Sequence, residues 1–349
     1  MNQKIPSRLF LLGLTAIATT LFTACDKKDS GAAATGEKYT VVDTRTDNFD
    51  YARAKANAQD AIASVPDLAC MVGLFAYNAP QCMEAVKEAG KIGKIKIVSF
   101  DEQEAVLQGI ADGTVVGTIS QQPYYYGYES VRILNGLASG SGKKKLAYVT
   151  NGVDPFWNTA AAGVRAAEKE FGVECEVLMP PKGAVDQKRM VEGLIARGVD
   201  GMAISPIDAK NQIDLINDAA ARFPVITHDS DAPDSKRLCF VGMDNYKAGR
   251  AAGKLVKSAL PQGGKVMIFV GRLEQLNAQQ RRQGVIDELL DRPSPATVAT
   301  TKVDPPSAPS GDRSVLPPGG FLEVPIVEVT KANVEKFRTD LKKMQEAGK

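Results

Sequence analysis

Histidine is almost missing from this sequence, because His228 is the only one among 349 residues. Metal centres and catalytic triads built on histidine are therefore disfavoured. Positive and negative side chains nearly balance at a net charge of +2, so no strong field exists that would attract nucleic acid. The five cysteines show no C-x-x-C spacing, which gives no support to a metal or redox site. We expect no metal, cofactor or nucleic acid.

Long apolar runs are confined to the N-terminus. Lys4 and Arg8 flank the start of an apolar run, Leu9–Leu21, which has the length of a signal peptide and is short for a membrane span. The sequence Leu21-Phe-Thr-Ala-Cys25 then resembles a bacterial lipobox. We predict a lipoprotein signal peptide and lipobox over residues 1–25, with Cys25 lipidated. The alternative is plain secretion with cleavage near Ala24.

A polar segment rich in Gly, Ala and Ser follows at residues 26–37 and predicts a flexible tether.

The four cysteines after Cys25 are Cys70, Cys82, Cys175 and Cys239. Three lie in predicted strands and one in a predicted helix. This placement favours buried free thiols, although an exported protein could pair them.

Short β-rich runs alternate with amphipathic helical runs from residue 39 to residue 290. Residues 158–171 show the helical period, with Val164, Ala167 and Phe171 on one face. The alternation predicts an α/β fold of parallel sheets covered by helices on both faces. A proline-rich segment at 292–320 indicates a linker, and one strand and one helix follow at 321–349.

The most informative stretch is Leu146–Trp157. An apolar strand runs into a polar turn that carries a carboxylate, Asp154, and two adjacent aromatic residues, Phe156 and Trp157. A helical run follows directly. Strand, polar turn and helix are the parts from which α/β proteins build ligand sites at the carboxyl edge of a sheet.

Further motifs of one family accompany this stretch. Residues 145–290 resemble the first part of the ribose/galactose-type periplasmic sugar-binding proteins, the type I solute-binding family of ABC importers. The motifs that carry this resemblance are Asp154–Trp157, Ile204–Asp208, Pro224–Asp229, Val241–Asn245 and Asn277–Gly284. Residues 39–138 resemble the remainder of the same family through Gly73–Asn78, Val98–Asp101 and Gly117–Pro123.

The two blocks stand in exchanged order, because in the family the block similar to 145–290 comes first. The resemblance implies two lobes, each a parallel sheet flanked by helices, with permuted connectivity. The expected segments are 38–113 in the second lobe, 114–140 and 144–243 in the first lobe, 244–291 in the second lobe, a linker at 292–320, and a C-terminal strand and helix at 321–349 in the second lobe.

The resemblance also implies a ligand cleft between the lobes. A sugar requires carboxylates and amides for its hydroxyl groups and aromatic rings for its apolar faces. The first-lobe candidates are Thr150, Asp154, Phe156, Trp157, Ser205, Asp229 and Ser230. The second-lobe candidates are Phe49, Asn78, Asp101, Asn277, Gln279 and Arg281, with Gln121 on a crossover strand near the hinge. The ribose-binding pattern prefers an amide at Ser205 and an arginine at Ser230, which argues against ribose itself.

Several candidates have a structural alternative. Asp154 could cap the helix that follows it, and Asn78 could cap the helix from residue 79. Phe156 and Trp157 could pack the helix start onto the core, and Arg281 could form a surface ion pair. A core or surface role is expected for His228, and surface packing for Tyr124, Tyr125, Tyr126 and Tyr128.

The combination predicts a substrate-binding lipoprotein of an ABC-type sugar importer. It would be a periplasmic monomer with a lipid anchor in the membrane, and it would carry a monosaccharide or polyol to a permease in the inner membrane. The alternative is a periplasmic sensor that presents a bound sugar or signalling molecule to a membrane receptor. Asp154 and Asp229 could in principle serve as paired catalytic carboxylates, but no nucleophile motif accompanies them, so we predict no enzymatic activity.

Overall fold

The computed structural model describes residues 34–295 and 311–347, and two β-sheets organise this part of the chain. The strands are β1 (Ala34–Thr35), β2 (Tyr39–Thr46), β3 (Leu68–Gly73), β4 (Lys96–Phe100), β5 (Gly117–Ser120), β6 (Lys145–Val149), β7 (Glu174–Leu178), β8 (Gly201–Ile204), β9 (Val225–His228), β10 (Phe240–Gly242), β11 (Gly264–Val270), β12 (Phe321–Glu323) and β13 (Val327–Thr330). The predicted signal peptide, Cys25 and most of the tether lie outside the described residues.

Helices connect most of the strands. They are α1 (Tyr51–Ser64), α2 (Asn78–Glu88), α3 (Glu104–Asp112), α4 (Pro123–Leu137), α5 (Pro155–Phe171), α6 (Ala184–Arg197), α7 (Ile213–Ala220), α8 (Asn245–Ala259), α9 (Leu276–Leu289) and α10 (Val334–Ala347). Two short 3-10 turns, Arg313–Val315 and Pro318–Gly320, lie inside the predicted proline-rich linker. Among the described residues no helix is long and apolar enough to cross a membrane.

The six-stranded sheet defines the first lobe and the seven-stranded sheet the second. The first has the order β12-β10-β9-β8-β6-β7, and all its strands are parallel. The second has the order β1-β2-β11-β3-β4-β5-β13, with only the two edge strands antiparallel. Strands such as β3 and β8 are apolar along nearly their whole length, because helices cover both faces of the sheet. The predicted α/β class is therefore confirmed.

Each sheet separates two apolar clusters. In the first lobe, α4 and α5 pack on one face, and α6 and α7 on the other. In the second, α8 and α9 cover one face, and α1, α2, α3 and α10 the other. Both lobes contain a very close helix pair: a Cβ on Gly163 would lie 1.8 Å from the Tyr124 carbonyl oxygen, and one on Gly284 would lie 2.2 Å from that of Tyr246. Only glycine permits these approaches between α4 and α5 and between α8 and α9.

The chain crosses between the lobes at three described places, after β5, after β10 and between β12 and β13. The prediction that 114–140 belongs to the first lobe is wrong for β5, which pairs with β4 in the second; only α4 of this segment packs on the first lobe. The predicted single strand at 321–329 is also wrong. It is divided into β12 in the first lobe and β13 in the second, because Pro325 between them has no N–H to donate.

Residues that the exchanged order separates in sequence lie side by side. The Gly311 N–H donates to the Leu137 carbonyl oxygen at 2.5 Å, and the Asp312 N–H to that of Gly136 at 2.9 Å. At the other junction, a Cβ on Gly36 would meet Leu290 at 2.7 Å. The end of α4 therefore contacts the start of the C-terminal segment, and the end of α9 contacts the residues before β2.

The four cysteines of the two lobes are free and buried, as the sequence predicts. Cys70 lies in β3 and Cys82 in α2, whereas Cys175 lies in β7 and Cys239 directly precedes β10. Burial raises the pKa of each thiol, to about 12 for Cys70 and Cys239. Such thiols behave as small apolar side chains rather than as nucleophiles.

Candidate functional site

A cavity of about 390 Å³ lies between the two lobes, a size within the range of small-molecule sites. Its lining comes from loops that follow the carboxyl ends of strands in both sheets. The first lobe contributes residues after β6, β7 and β9, and the second lobe residues after β2, β3, β4, β5 and β11. The candidate site therefore forms only where the two sheets face each other across the cleft.

Asp229 stands at the base of this cavity, directly after β9, in the left-handed conformation at φ 56°. Its Oδ2 atom accepts hydrogen bonds from Ser205 Oγ at 2.9 Å and Asn151 Nδ2 at 3.0 Å, with Asn277 Nδ2 more distant at 3.4 Å. The neighbouring strands and the second lobe thus fix one carboxylate oxygen. The other oxygen, Oδ1, remains for a ligand.

Arg281 faces that free oxygen from the second lobe. Its Nη2 lies 3.9 Å from Asp229 Oδ1, too far for a hydrogen bond, and has no hydrogen-bond partner among the described residues. The rest of the guanidinium is fixed, because Nε donates to Asn245 Oδ1 and Nη1 to the Leu74 carbonyl oxygen, each at 2.9 Å. The Arg281 side chain is completely buried. The alternative of a surface ion pair is therefore wrong.

Asp101 occupies the corresponding position in the second lobe. It follows β4, has φ 66° and accepts a hydrogen bond from Gln121 Nε2 at 2.8 Å. Tyr126 donates to Gln121 Oε1 at 3.2 Å, so the predicted surface position of Tyr126 is wrong: the side chain is fully buried. Burial raises the pKa of Asp101, whereas the positive charge of Arg281 and the hydrogen bond from Gln121 lower it.

The loop Asn151–Trp157 forms the first-lobe wall. Asp154 caps α5, because its Oδ1 accepts from the Phe156 N–H at 2.9 Å, and it also lines the cavity. Trp157 is buried in the first-lobe core, where its ring meets that of Phe156 edge to face at 4.8 Å. Both aromatic residues also line the cavity. Phe156 and Trp157 can therefore pack the start of the helix onto the core, as predicted, and also contact a ligand.

Phe49 faces them from the second lobe, in the turn after β2. Asn48 and Phe49 both have positive φ, at 58° and 65°, which is uncommon for residues other than glycine. Asp47 holds this turn, because its Oδ1 accepts from the Phe49 N–H at 2.9 Å and from the Tyr77 hydroxyl. Burial raises the pKa of Asp47 to about 6. Phe49 contacts Phe75 edge to face at 5.7 Å, which completes an aromatic wall.

About half of the predicted ligand residues line the cavity directly. These are Phe49, Asp101, Gln121, Asp154, Phe156, Trp157 and Asp229. Ser205, Asn277 and Arg281 surround Asp229 without lining the cavity. Three of the remaining predicted residues form hydrogen bonds within their own lobe: Thr150 with Gly152, Asn78 with Asp47 and Phe75, and Gln279 with Leu273. The fourth, Ser230, is buried, and its Oγ has no hydrogen-bond partner among the described residues.

Asn78 therefore neither reaches the cavity nor caps α2 through its side chain. His228 is buried and stacks on Tyr148 at 4.0 Å, which confirms a core role. Burial lowers the pKa of His228 to about 3. Within the described ranges, no cluster of three or more His, Cys, Asp or Glu side chains is arranged to hold a metal ion.

Seven of the unpredicted lining residues carry an aromatic, amide or cationic side chain. They are Asn48, Tyr51, Phe75, Tyr77, Asn151, Lys182 and Arg272. Each lies within a few residues of the end of a strand, and this position is the feature of the sequence from which a place in the lining could have been predicted. Phe75 and Tyr77 belong to the family motif Gly73–Asn78, and Asn151 begins the loop that contains Asp154. No pattern in the sequence distinguished Lys182 or Arg272 from other loop cations.

The family comparison agrees with this geometry. The family model described as a periplasmic binding protein domain matches residues 21–144 and 147–314. This chain belongs to the periplasmic binding protein family. The family resemblance and the two-lobed α/β fold predicted from the sequence are thereby confirmed.

Two curated relatives are named as sugar-binding proteins. The chain is 29% identical over 159 residues to a D-ribose/D-allose-binding protein of Pseudomonas aeruginosa, covering 42% of this chain and 50% of the relative. It is 30% identical over 138 residues to a ribose import binding protein of Bacillus subtilis, covering 38% and 45%. The chain thus spans about half the length of the curated relatives it matches. These relatives are binding proteins, in agreement with the prediction that the chain is not an enzyme.

Solved structures of a solute-binding protein and a sugar-binding protein are also similar over part of the chain. An ABC transporter solute binding protein from Burkholderia graminis, in complex with D-arabinose, is 30% identical with a TM-score of 0.42, covering 44% of this chain and 55% of that one. A glucose-galactose binding protein from Geobacillus stearothermophilus is 29% identical with a TM-score of 0.40, covering 43% and 54%.

Proposed function

We propose that this periplasmic binding protein captures a monosaccharide or related polyol between its two lobes and delivers it to an ABC importer. The observation that carries the proposal is the Asp229 carboxylate in the cavity lining, where Ser205 and Asn151 hold Oδ2 and no described residue hydrogen-bonds Oδ1. A ligand hydroxyl in the cavity would donate a hydrogen bond to this carboxylate oxygen. Water or a sugar hydroxyl meets this requirement, whereas an apolar ligand does not.

The aromatic walls support the same class of ligand. Phe156 and Trp157 from the first lobe and Phe49 from the second line one cavity. Ring faces on two sides match the apolar C–H faces of a sugar, while Asp101 and Gln121 supply further polar partners. The names of the relatives, which bind ribose or allose, are consistent with a sugar ligand.

The cellular role follows from the family and the N-terminal sequence. We infer that residues 1–25 direct export, that a lipid on Cys25 anchors the protein to the membrane, and that a monomer hands its ligand to a permease in the inner membrane. The lobes would close on the ligand by rotation at the three crossings. The import role named for one relative supports this assignment.

A thermal-shift screen of the purified protein against pentoses, hexoses and polyols tests the ligand class. Binding stabilises the folded state by mass action, so the melting temperature should rise with the concentration of a true ligand. Asp229→Asn should weaken the affinity for that ligand by about 100-fold, because it removes a charged hydrogen-bond acceptor from the cavity lining.

Asp234→Asn is the matched control, since Asp234 is an exposed carboxylate of the first lobe that does not line the cavity. Its affinity should equal that of the parent protein. If no sugar or polyol shifts the melting temperature and the fluorescence of Trp157 also stays constant, the proposal is wrong.

A further inference from the structure

Two cationic side chains line the mouth of the cavity, one from each lobe. Lys182 lies in the first-lobe loop after β7, and Arg272 lies in the second-lobe loop after β11. Lys182 is exposed at the rim and Arg272 is half-buried. Neither belongs to the network around Asp229, so both charges require a separate explanation.

The Arg272 guanidinium packs on Phe49 of its own lobe and lies close to the first-lobe loop. Its Cζ lies 5.4 Å from the centre of the Phe49 ring, within the range of a cation–π contact. A Cβ on Gly183 would lie 3.4 Å from Nη1, so the first-lobe loop comes close to the guanidinium. Gly183 has φ 71° and ψ −143°, a combination that is essentially restricted to glycine. The backbone next to Lys182 therefore closes over Arg272.

Neither cation has a protein counter-ion in the part of the chain that the structure describes. No carboxylate there lies within 4.0 Å of Lys182 Nζ or of the Arg272 guanidinium, and neither side chain donates a hydrogen bond to a protein acceptor. Two unpaired charges of one sign beside a low-dielectric cavity produce a positive potential at its mouth.

The three carboxylates that line the same cavity, Asp101, Asp154 and Asp229, form no ion pair with Lys182 or Arg272. Asp154 is bonded by Tyr51 and by the Phe156 N–H. Asp101 and Asp229 lie at the base, where burial raises the pKa of both carboxyls and the positive charge of Arg281 opposes this rise. Lys182 and Arg272 thus line the cavity without an ion-pair partner among the described residues.

We propose that the ligand is a sugar with an anionic substituent, either a carboxylate or a phosphate, whose charged group binds between Lys182 and Arg272. The inference rests on the proposed sugar-binding function, because the sugar hydroxyls would hydrogen-bond Asp229 at the base. The planar fork of Arg272 suits two oxygens of one anionic group, and Lys182 adds a point charge that adapts to either geometry.

Calorimetric titration with matched pairs of sugars tests this assignment. The pairs are D-galactose with D-galacturonate, D-glucose with D-glucuronate, and D-ribose with D-ribose 5-phosphate. For at least one pair, the anionic member should bind at least tenfold more tightly at low ionic strength. This preference should decrease as sodium chloride is added, because the cation pair at the mouth is partly exposed to solvent. The uronate and phosphate arms distinguish the two sources of the charge.

Arg272→Gln and Lys182→Gln should each bring the ratio of the two dissociation constants toward one. Lys236→Gln is the control, because Lys236 is an exposed first-lobe lysine away from the cavity lining; it should leave the ratio unchanged. If a neutral sugar binds as tightly as its anionic partner, and Arg272→Gln does not alter the ratio, the anionic assignment is overturned while sugar binding stands. If no member of any pair binds and the thermal-shift screen also yields no sugar or polyol, the proposed function fails as well.

Discussion

Tyr51 donates a hydrogen bond to Asp154 across the cleft, with 3.1 Å between Oη and Oδ2. Tyr51 belongs to the second lobe, where its ring stacks on that of Tyr77 at 4.9 Å, and the Tyr77 hydroxyl bonds the buried Asp47. Asp154 belongs to the first lobe, where it caps α5. A continuous series of contacts therefore links the interior of one lobe to the start of a helix in the other, and it can persist only while the cleft is closed.

We expect the Tyr51–Asp154 contact to slow ligand release. Tyr51→Phe removes the hydroxyl but keeps the ring on Tyr77, and Asp154→Ser keeps a helix cap but is too short to reach Tyr51. Each variant should increase the dissociation rate about 3- to 10-fold, since a single hydrogen bond contributes about 0.5–1.5 kcal/mol. Stopped-flow fluorescence of Trp157 with a sugar identified in the thermal-shift screen measures this rate.

The double variant decides whether the two residues act together. If the contact is the cause, Tyr51→Phe combined with Asp154→Ser should dissociate hardly faster than either single variant. Tyr125→Phe is the matched control, because Tyr125 is exposed on α4 and does not line the cavity. Strictly additive effects of the two substitutions would show that they act independently.

Restoring the family order of the blocks should preserve the fold. The described ends already meet, with Gly311 bonded to Leu137 and Leu290 next to Gly36. A chain with residues 145–291, then 38–138, then 312–349 needs only short joins at these contacts. We expect it to show the same ligand preference and a melting temperature within a few degrees of the parent protein. Differential scanning calorimetry with and without ligand measures both.

A second rearranged chain shows whether the protein tolerates any change of connectivity or only the restored family order. Opening the reordered chain inside β8, between Ala203 and Ile204, breaks a strand that is completely buried, and this variant should fail to fold. If the restored order itself aggregates or loses its cooperative transition, the two blocks are not exchanged parts of one family fold.

The close helix pairs should be sensitive to a single methyl group. Gly163→Ala places a Cβ 1.8 Å from the Tyr124 carbonyl oxygen, so α4 and α5 must separate. Overpacking of this kind costs roughly 1–3 kcal/mol of the free energy of unfolding. Urea denaturation gives this value directly. Gly193→Ala in α6 is the control, because no atom lies within 4 Å of the added methyl; it should stabilise the protein by about 0.5–1 kcal/mol. Equal effects at both positions would contradict the packing argument.

His228 should make the fold less stable in acid. Burial lowers its pKa from 6.5 to about 3, so below pH 6.5 the unfolded chain binds a proton that the folded protein does not. The unfolded state then gains up to about 1.4 kcal/mol per pH unit, and stability falls as pH falls through this window. His228→Phe keeps the stack on Tyr148, and the Val149 carbonyl retains its bond from the Ser205 N–H.

We expect the free energy of unfolding of His228→Phe to lie within about 1 kcal/mol of the parent value at pH 7 and to decline less toward pH 5, by about 2 kcal/mol. Chemical denaturation at several pH values between 7 and 5 provides the comparison. Parallel pH profiles for the two proteins would mean that His228 is protonated in the folded state.

The sequence predicted most strands and helices within a few residues, because the apolar period of each element reflects the faces that it buries. It could not assign β5 to a lobe, since Gly117–Ser120 is buried throughout and such a strand fits either sheet equally well. The division of the last strand was predictable from Pro325, which interrupts the hydrogen-bond ladder.

At the site, Asp229 and Asp101 were predictable because both follow strands that end at the cleft. Ser230 and Thr150 show the limit of that argument. Neighbouring residues at a strand end face different ways, so Asp229 lines the cavity while Ser230 is buried beside it. Lys182 and Arg272 could not be predicted as lining residues, because the sequence does not show which loops of the two lobes face each other across the cleft.

The four buried cysteines can be used to measure how often each lobe of this protein opens. Two lie in each lobe, Cys70 and Cys82 in the second and Cys175 and Cys239 in the first. Each can react with a thiol reagent only when the surrounding structure opens. Mass spectrometry of the labelled peptides would therefore time the opening of each lobe separately, in the unmodified chain. Ligand that bridges the cleft should protect both pairs together, whereas ligand held by one lobe should protect one pair.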